Sequence, residues 1–298
     1  MSMREFFVLL MVCTIWGLHF VVMKVTIGGA TEPLFYAALR MSCVLICVLP
    51  FLKWHTGYMG RILIAGLGYG ALSYAFMFPA LGMTTASAAA LTIELYVPFA
   101  IILGIIFLGE RIGLRRFIGI VLAIAGVAII AMAKPDESAG PQYLLGIGLM
   151  ACAAMSEAVG ALMVKKVTGI KPLELLAWFA VVGSVVLWPL SFALEDNQLR
   201  AFSPENRGPF LAALAYSTVA VSIMAHGSYY WLLQRLPIYI VSSSGLMTTV
   251  VAVLSSAILL REPITPPFIL GGLLTLLGVG FILYARKLRA EATPPPEV

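Results

Sequence analysis

Apolar residues in this chain neither alternate nor keep to one helical face. They run together, in stretch after stretch, with short polar breaks between them. An α-helix needs roughly 20 consecutive apolar residues to cross about 30 Å of hydrocarbon. On that basis the pattern predicts ten spans: Phe6–Val25, Leu34–Leu52, Ile62–Ala80, Ser87–Leu108, Phe117–Ala133, Tyr143–Val164, Leu173–Leu194, Phe210–Leu233, Ile238–Leu260 and Phe268–Ala285. Barrel strands would instead alternate apolar and polar over about ten residues. Continuous runs rich in Ala, Leu, Gly and Ile suit helices, which satisfy their own backbone in lipid. The expected fold class is an all-α integral membrane protein. The first stretch follows Arg4 and runs past the length of a signal peptide without a small-residue cleavage site, so it reads as a span. Residues 286–298, RKLRAEATPPPEV, read as a basic stop followed by a disordered tail.

The pattern also repeats. Leu81–Ala133 and Leu233–Ala285 align without a gap at an offset of 152, which sets Glu110 on Glu262, Gly119 on Gly271 and Gly126 on Gly278. A weaker match links WGLHFVVMK (Trp16–Lys24) to EAVGALMVK (Glu157–Lys165). Five predicted spans fill each half, so the second half must enter the membrane from the opposite side. Inverted halves of this kind build a path that opens at either face around a midplane site. The expected division is 1–136 for the first five-helix repeat, 137–287 for the second, inverted one, and 288–298 for a cytoplasmic tail.

Charge fixes an expected orientation. With the amino terminus inside, thirteen Lys and Arg fall on the inner side and five on the outer, with Arg40 left within a span. That is a strong positive-inside bias, and it predicts a multi-pass protein of the plasma (inner) membrane with both termini cytoplasmic. Hydrophobic residues make up 61% of the chain, charged residues 11%, and mean hydropathy is +1.00, which excludes an ordinary soluble domain. The net charge of +5 sits at span ends, so it is no nucleic-acid footprint. The four cysteines lie in apolar runs without metal-ligand spacing and read as buried hydrophobes. The expected partners are the lipid bilayer, a small-molecule substrate and, as a candidate co-ligand, protons; no cofactor or metal is expected. GxxxG-type glycine pairs are compatible with a monomer or a homodimer.

Ionisable groups inside a span are costly and therefore mark candidate sites. Glu94 lies mid-span, four residues before Pro98, whose ring weakens the helical ladder. It reads either as a carboxylate for a substrate amine or a proton, or as a structural acid paired with Arg40 or a backbone donor. Glu157 in the sixth span, among the small residues Ala153, Ala154, Ala158 and Gly160, reads either as an acid that a ligand or partner helix can approach or as one satisfied by Ser or Tyr on an adjacent helix. In the eighth span Thr218, Ser222, His226 and Tyr230 recur every four residues on one face. Cavity lining is the functional reading there, and back-bonding hydroxyls with an interhelical histidine lock the bland one. In the hydroxyl-rich ninth span Ser244 and Thr248 are the candidate contacts, with packing the alternative for the remainder. His19, Tyr74, Phe78 and Trp178 supply rings able to enclose an apolar side chain. Glu110 and Glu262, in loops, read as structural caps of the helix that follows each.

Several of these residues together resemble the drug/metabolite transporter superfamily, in its ten-helix EamA-type branch. They are IWGLHFVVMK (Ile15–Lys24), Pro33 with Arg40, Pro98 with LGERI (Leu108–Ile112), LREPI (Leu260–Ile264) and the glycine-bearing last span. The resemblance covers nearly the whole chain and implies a secondary exporter of metabolites such as amino acids, with aromatic or bulky neutral ones favoured. Cationic drug-like cargo is the alternative, and a passive channel a second. Val250 stands where a second proline would match Pro98, and His19 and Glu94 are polar where small or apolar residues are expected. An intramembrane enzyme is the competing class, but the chain offers SSSG at Ser242–Gly245 rather than GxSG, no HExxH, and only Asp136 and Asp196 as aspartates, both in loops. No GxxxxGK[ST] phosphate cradle is present either.

Overall fold

A computed structural model describes residues 1–28, 31–132, 142–233, 235–236, 240–241 and 244–292, and no strand occurs among them. Helix α1 spans Met3–Gly28 and α2 spans Pro33–Val48, the latter opened by a proline at its first turn and closed by a 3-10 turn, Leu49–Phe51. Helix α3 is Met59–Met83 and α4 is Ala86–Leu108. Helices α5 (Leu114–Met132), α6 (Tyr143–Lys165) and α7 (Pro172–Leu194) follow. Helix α8 is a continuous run of Arg207–Ala215, Tyr216–Ala225 and His226–Leu233. Helix α9 covers Ser244–Leu259 and α10 covers Pro266–Ala292. Among the described residues nine helices are long and apolar enough to cross a membrane, and α9, with 16 residues, is the shorter tenth. Part of the predicted Ile238–Leu260 span lies outside the described residues, as do residues 293–298 of the predicted tail. Helix α10 itself continues beyond Ala285 to Ala292.

Packing follows a two-fold pattern. Helix α1 lies against α9 as α6 lies against α4; α3 lies against α6 as α8 lies against α1; and α2 meets α7, and α5 meets α10, as self-matching pairs. Glycines make the last pairing possible. A Cβ on Gly119 would stand 2.7 Å from the carbonyl oxygen of Gly278, and one on Gly271 would stand 2.7 Å from that of Gly126. These are equivalent contacts, because the 152-residue offset carries Gly119 to Gly271 and Gly126 to Gly278. Glycines that a sequence reading assigns to packing or dimerisation are thus consumed within one chain, where only a bare backbone lets the helices approach.

Glu262 caps not the helix that follows it, the expectation from sequence, but one in the other half. Glu262, after α9, accepts from the backbone N–H groups of Ala86 (2.7 Å) and Ser87 (3.0 Å) at the start of α4, and also from the Ser87 hydroxyl. A second-half carboxylate therefore seals a first-half helix start, where unpaired N–H groups and the helix dipole favour an anion. On the face rich in Lys and Arg, Glu110 pairs with Lys165 at the end of α6.

Candidate functional site

Three helices depart from regular winding, and the departures position the polar groups. In α3 the turn Leu67–Leu72 is π-wound, and in α8 the π-wound stretch is Tyr216–Ala225. The first falls within the second at the 152-residue offset, so the two halves share the device. Wide turns free carbonyls from the normal ladder and recur at functional sites. Here Ser222 and His226 satisfy the carbonyls of Ser217 (3.0 Å) and Val221 (2.7 Å), each five residues back. A carbonyl only accepts, so this bond places a proton on His226 Nδ1. The third departure is a 3-10 turn at Ile93–Leu95 in α4. Pro98 has no N–H to give the carbonyl of Glu94, and the helix tightens at that residue.

One cluster of these polar groups is acidic. Glu94, buried, accepts a 2.7 Å hydrogen bond from the Thr249 hydroxyl of α9, beside Gly245. Glu157 of α6 accepts a 2.7 Å bond from the Ser73 hydroxyl of α3. The two carboxyls lie within electrostatic reach of each other and come from opposite halves of the chain. The Tyr69 and Tyr96 hydroxyls meet at 3.3 Å on the same side. Neither carboxylate pairs with Arg40 among the described residues, so the structural ion-pair reading of Glu94 is not what the fold presents.

A second cluster is basic and aromatic. Tyr74 follows Ser73 directly, and its ring lies 4.9 Å under the Arg40 guanidinium of α2. Arg40 is 2% exposed and donates to the Ser222 hydroxyl at 3.3 Å, while its Nε and Nη1 find no acceptor among the described residues. Both ring nitrogens of His19 are likewise shielded and without a partner, as are Trp16 Nε1 and the Thr218 hydroxyl. Trp16 packs edge-on against His226 with ring centres 5.1 Å apart, and His19 lies 6.3 Å from the Tyr216 ring. Tyr74 and His226 are themselves 152 positions apart, so an aromatic ring in one half answers an imidazole in the other.

The structure thus groups Glu94 with Glu157, and Tyr74 with His19 and His226, the two groups meeting at the consecutive residues Ser73 and Tyr74 of α3. Arg40, Ser73 and Thr249 join them. Buried charge was the available sign for Arg40, while Ser73 and Thr249 were hidden by the rotation of their helices. Other candidates stand elsewhere. Phe78 is fully buried behind Tyr74, packed on the Tyr36 and Tyr74 rings, and belongs to the core. Trp178 donates to the Lys53 carbonyl at 2.7 Å and packs on Trp54, which anchors the 53–58 loop at the basic face. Ser244 and Thr248 face α1: the Ser244 carbonyl accepts from Cys13 Sγ at 3.5 Å, and the Thr248 carbonyl abuts Gly17. The side chain of Tyr230 lies outside the described residues. No group of three or more His, Cys, Asp and Glu able to hold a metal occurs among those that are described.

An all-helical membrane protein whose halves repeat in opposite sense, with polar side chains gathered between them, has the architecture of a secondary transporter. The chain matches the model of the EamA-like transporter family twice, over residues 3–132 and 144–284, and belongs to that family. It is 28% identical over 297 residues to a protein of Escherichia coli (strain K12) named as a probable amino-acid metabolite efflux pump, covering 97% of this chain and 98% of that one. A protein of the same name from Salmonella typhimurium is 29% identical, with 98% and 99% covered. An uncharacterized transporter of Archaeoglobus fulgidus is 26% identical over 95% of this chain and 100% of its own length. One solved crystal structure shares the fold, with a TM-score of 0.63 at 16% identity, covering 97% of this chain and 99% of that chain. The protein is a multi-pass membrane transporter of this family.

Proposed function

We propose that the protein exports amino acids, aromatic or bulky neutral ones foremost, by alternating access around the chamber between its halves. In this reading repeats 1–136 and 137–287 rock against each other in the plasma membrane, with both termini on the cytoplasmic side. The observation that carries it is the pair Glu94 and Glu157, one from each half, each held by a hydroxyl and, among the described residues, neither within ion-pair distance of a cation. A carboxylate pair at this depth suits a primary ammonium group, and the surrounding rings of Trp16, Tyr74 and Tyr96 suit an apolar side chain. The names of the Escherichia coli and Salmonella relatives support the same cargo.

The test is counterflow in proteoliposomes, with labelled phenylalanine and leucine run against a cationic dye. Saturable exchange of the amino acids is expected, and Glu94→Gln should lower it about 100-fold while protein yield holds, the scale of losing one partner of a desolvated charge pair. Exchange of the dye alone would favour a cation exporter, to which the same acidic pair is suited. Ohmic current without exchange would mean a channel.

A further inference from the structure

We propose that Arg40 is the carboxylate-binding end of the substrate site, so that cargo is recognised as a zwitterion held between Arg40 and the Glu94–Glu157 pair. This rests on the amino-acid reading and adds to it the group that reads the acid end. A guanidinium carries five N–H donors in a planar fork. In Arg40 one nitrogen reaches Ser222, and those on Nε and Nη1 meet no acceptor among the described residues. Removing a charge from water is costly even after the protein relaxes. The Tyr74 face beneath it offsets part of that cost. No carboxylate lies within ion-pair distance of it among the described residues. A cation so placed is incomplete without a bound anion.

Its neighbours point the same way. His19 has two shielded, unpartnered ring nitrogens, and the Thr218 hydroxyl is unpartnered in the wide turn that also carries Ser222. All three groups keep donors that meet no acceptor among the described residues. A carboxylate engages a guanidinium through two parallel N–H bonds and still accepts from an imidazole or hydroxyl. The spacing between the two ends follows from the chain itself: Ser73 holds Glu157 and the next residue, Tyr74, lies under Arg40. The proposed ammonium and carboxylate sites are therefore joined through two consecutive residues of α3.

The experiment measures binding by thermal shift on purified full-length protein in detergent. The probes are phenylalanine, its methyl ester, phenethylamine and 3-phenylpropionate. For the wild type, masking the carboxylate as the ester should weaken binding about 100-fold. In Arg40→Gln phenylalanine should fall to the level of the ester, while the ester itself binds as before. Arg40→Lys keeps the charge and loses the fork, so it should recover the preference only in part. Where the Gln variant fails to fold, the Lys variant carries the test. If the ratio of phenylalanine to ester is unchanged in these variants, or if both ligands are lost together, Arg40 is structural and the proposal is overturned, with amino-acid export untouched. If the wild type ignores phenylalanine yet takes phenylpropionate in an Arg40-dependent way, the anion site stands and the amino-acid reading falls. Binding of phenethylamine alone, blind to Arg40, overturns both.

Discussion

Single carboxylates do different work in this protein according to what surrounds them. Glu195, just past the end of α7, accepts from the N–H groups of Leu34 (2.6 Å) and Phe35 (2.8 Å) at the start of α2, and from the Ser191 hydroxyl (2.7 Å). Burial nevertheless outweighs those bonds and pushes its carboxyl above the ordinary 4.5. A raised carboxyl binds more protons folded than unfolded between the two pKa values, so stability falls as pH rises through that window. Thermal unfolding in detergent should therefore show a component that declines from about pH 4.5 upward, and Glu195→Gln should remove it. A wild type and variant with parallel profiles over that range would refute the assignment. At this scale the sequence was only partly legible. Glu94, Glu157 and His226 stood out because charge in an apolar run is rare. Thr249 did not, since one residue along a helix turns a side chain by roughly 100°, and Thr248 and Thr249 look alike until the partner helices are placed.

At the scale of elements, the hydrophobic runs and the repeat predicted the spans because both depend on properties local to the chain: length, apolarity and the positions of Gly and Pro. Helix winding was less legible. Pro98 announced the tight turn at Glu94, whereas the π-wound stretches carry no proline and arise where α3 and α8 are pressed against neighbours. Gly70 in the first of them sits against the backbone of α7 at Gly183 and Phe179, too close for any side chain. The crossing of α5 and α10 makes the same point in testable form. A Cβ on Gly126 would fall 2.5 Å from both the Gly271 carbonyl oxygen and the Thr275 nitrogen, so the helices must part. Gly126→Ala and its mirror Gly278→Ala should each cost about 1–3 kcal/mol, the usual penalty for overpacking. Gly148, also helical, has open space where its Cβ would stand, so Gly148→Ala should be neutral or slightly stabilising. Melting curves of the three variants decide it. Equal losses in all three would show that helix propensity, not the crossing, sets the effect.

For the molecule as a whole, the contacts that bridge the halves at the two faces are of unequal kind. On one face Glu262 is tied to backbone and hydroxyl groups of α4. On the basic face the bridge between Glu110 and Lys165 has its lysine 61% exposed. An exposed ion pair contributes about 0–1 kcal/mol, weak enough to break in each cycle of the alternating access proposed above. A covalent tie there should act very differently from the natural one. With the exposed Cys47 and Cys152 replaced by Ser, Glu110→Cys and Lys165→Cys joined by a short bifunctional thiol reagent should stop counterflow while leaving ligand-induced thermal shifts in place. Cleaving a reducible cross-link should restore flux to the uncross-linked level. Each single-cysteine variant should transport near the wild-type rate, because the ion pair itself contributes so little. Full flux through a completely cross-linked population would mean that the halves do not part at this face, and alternating access about the chamber would have to be given up.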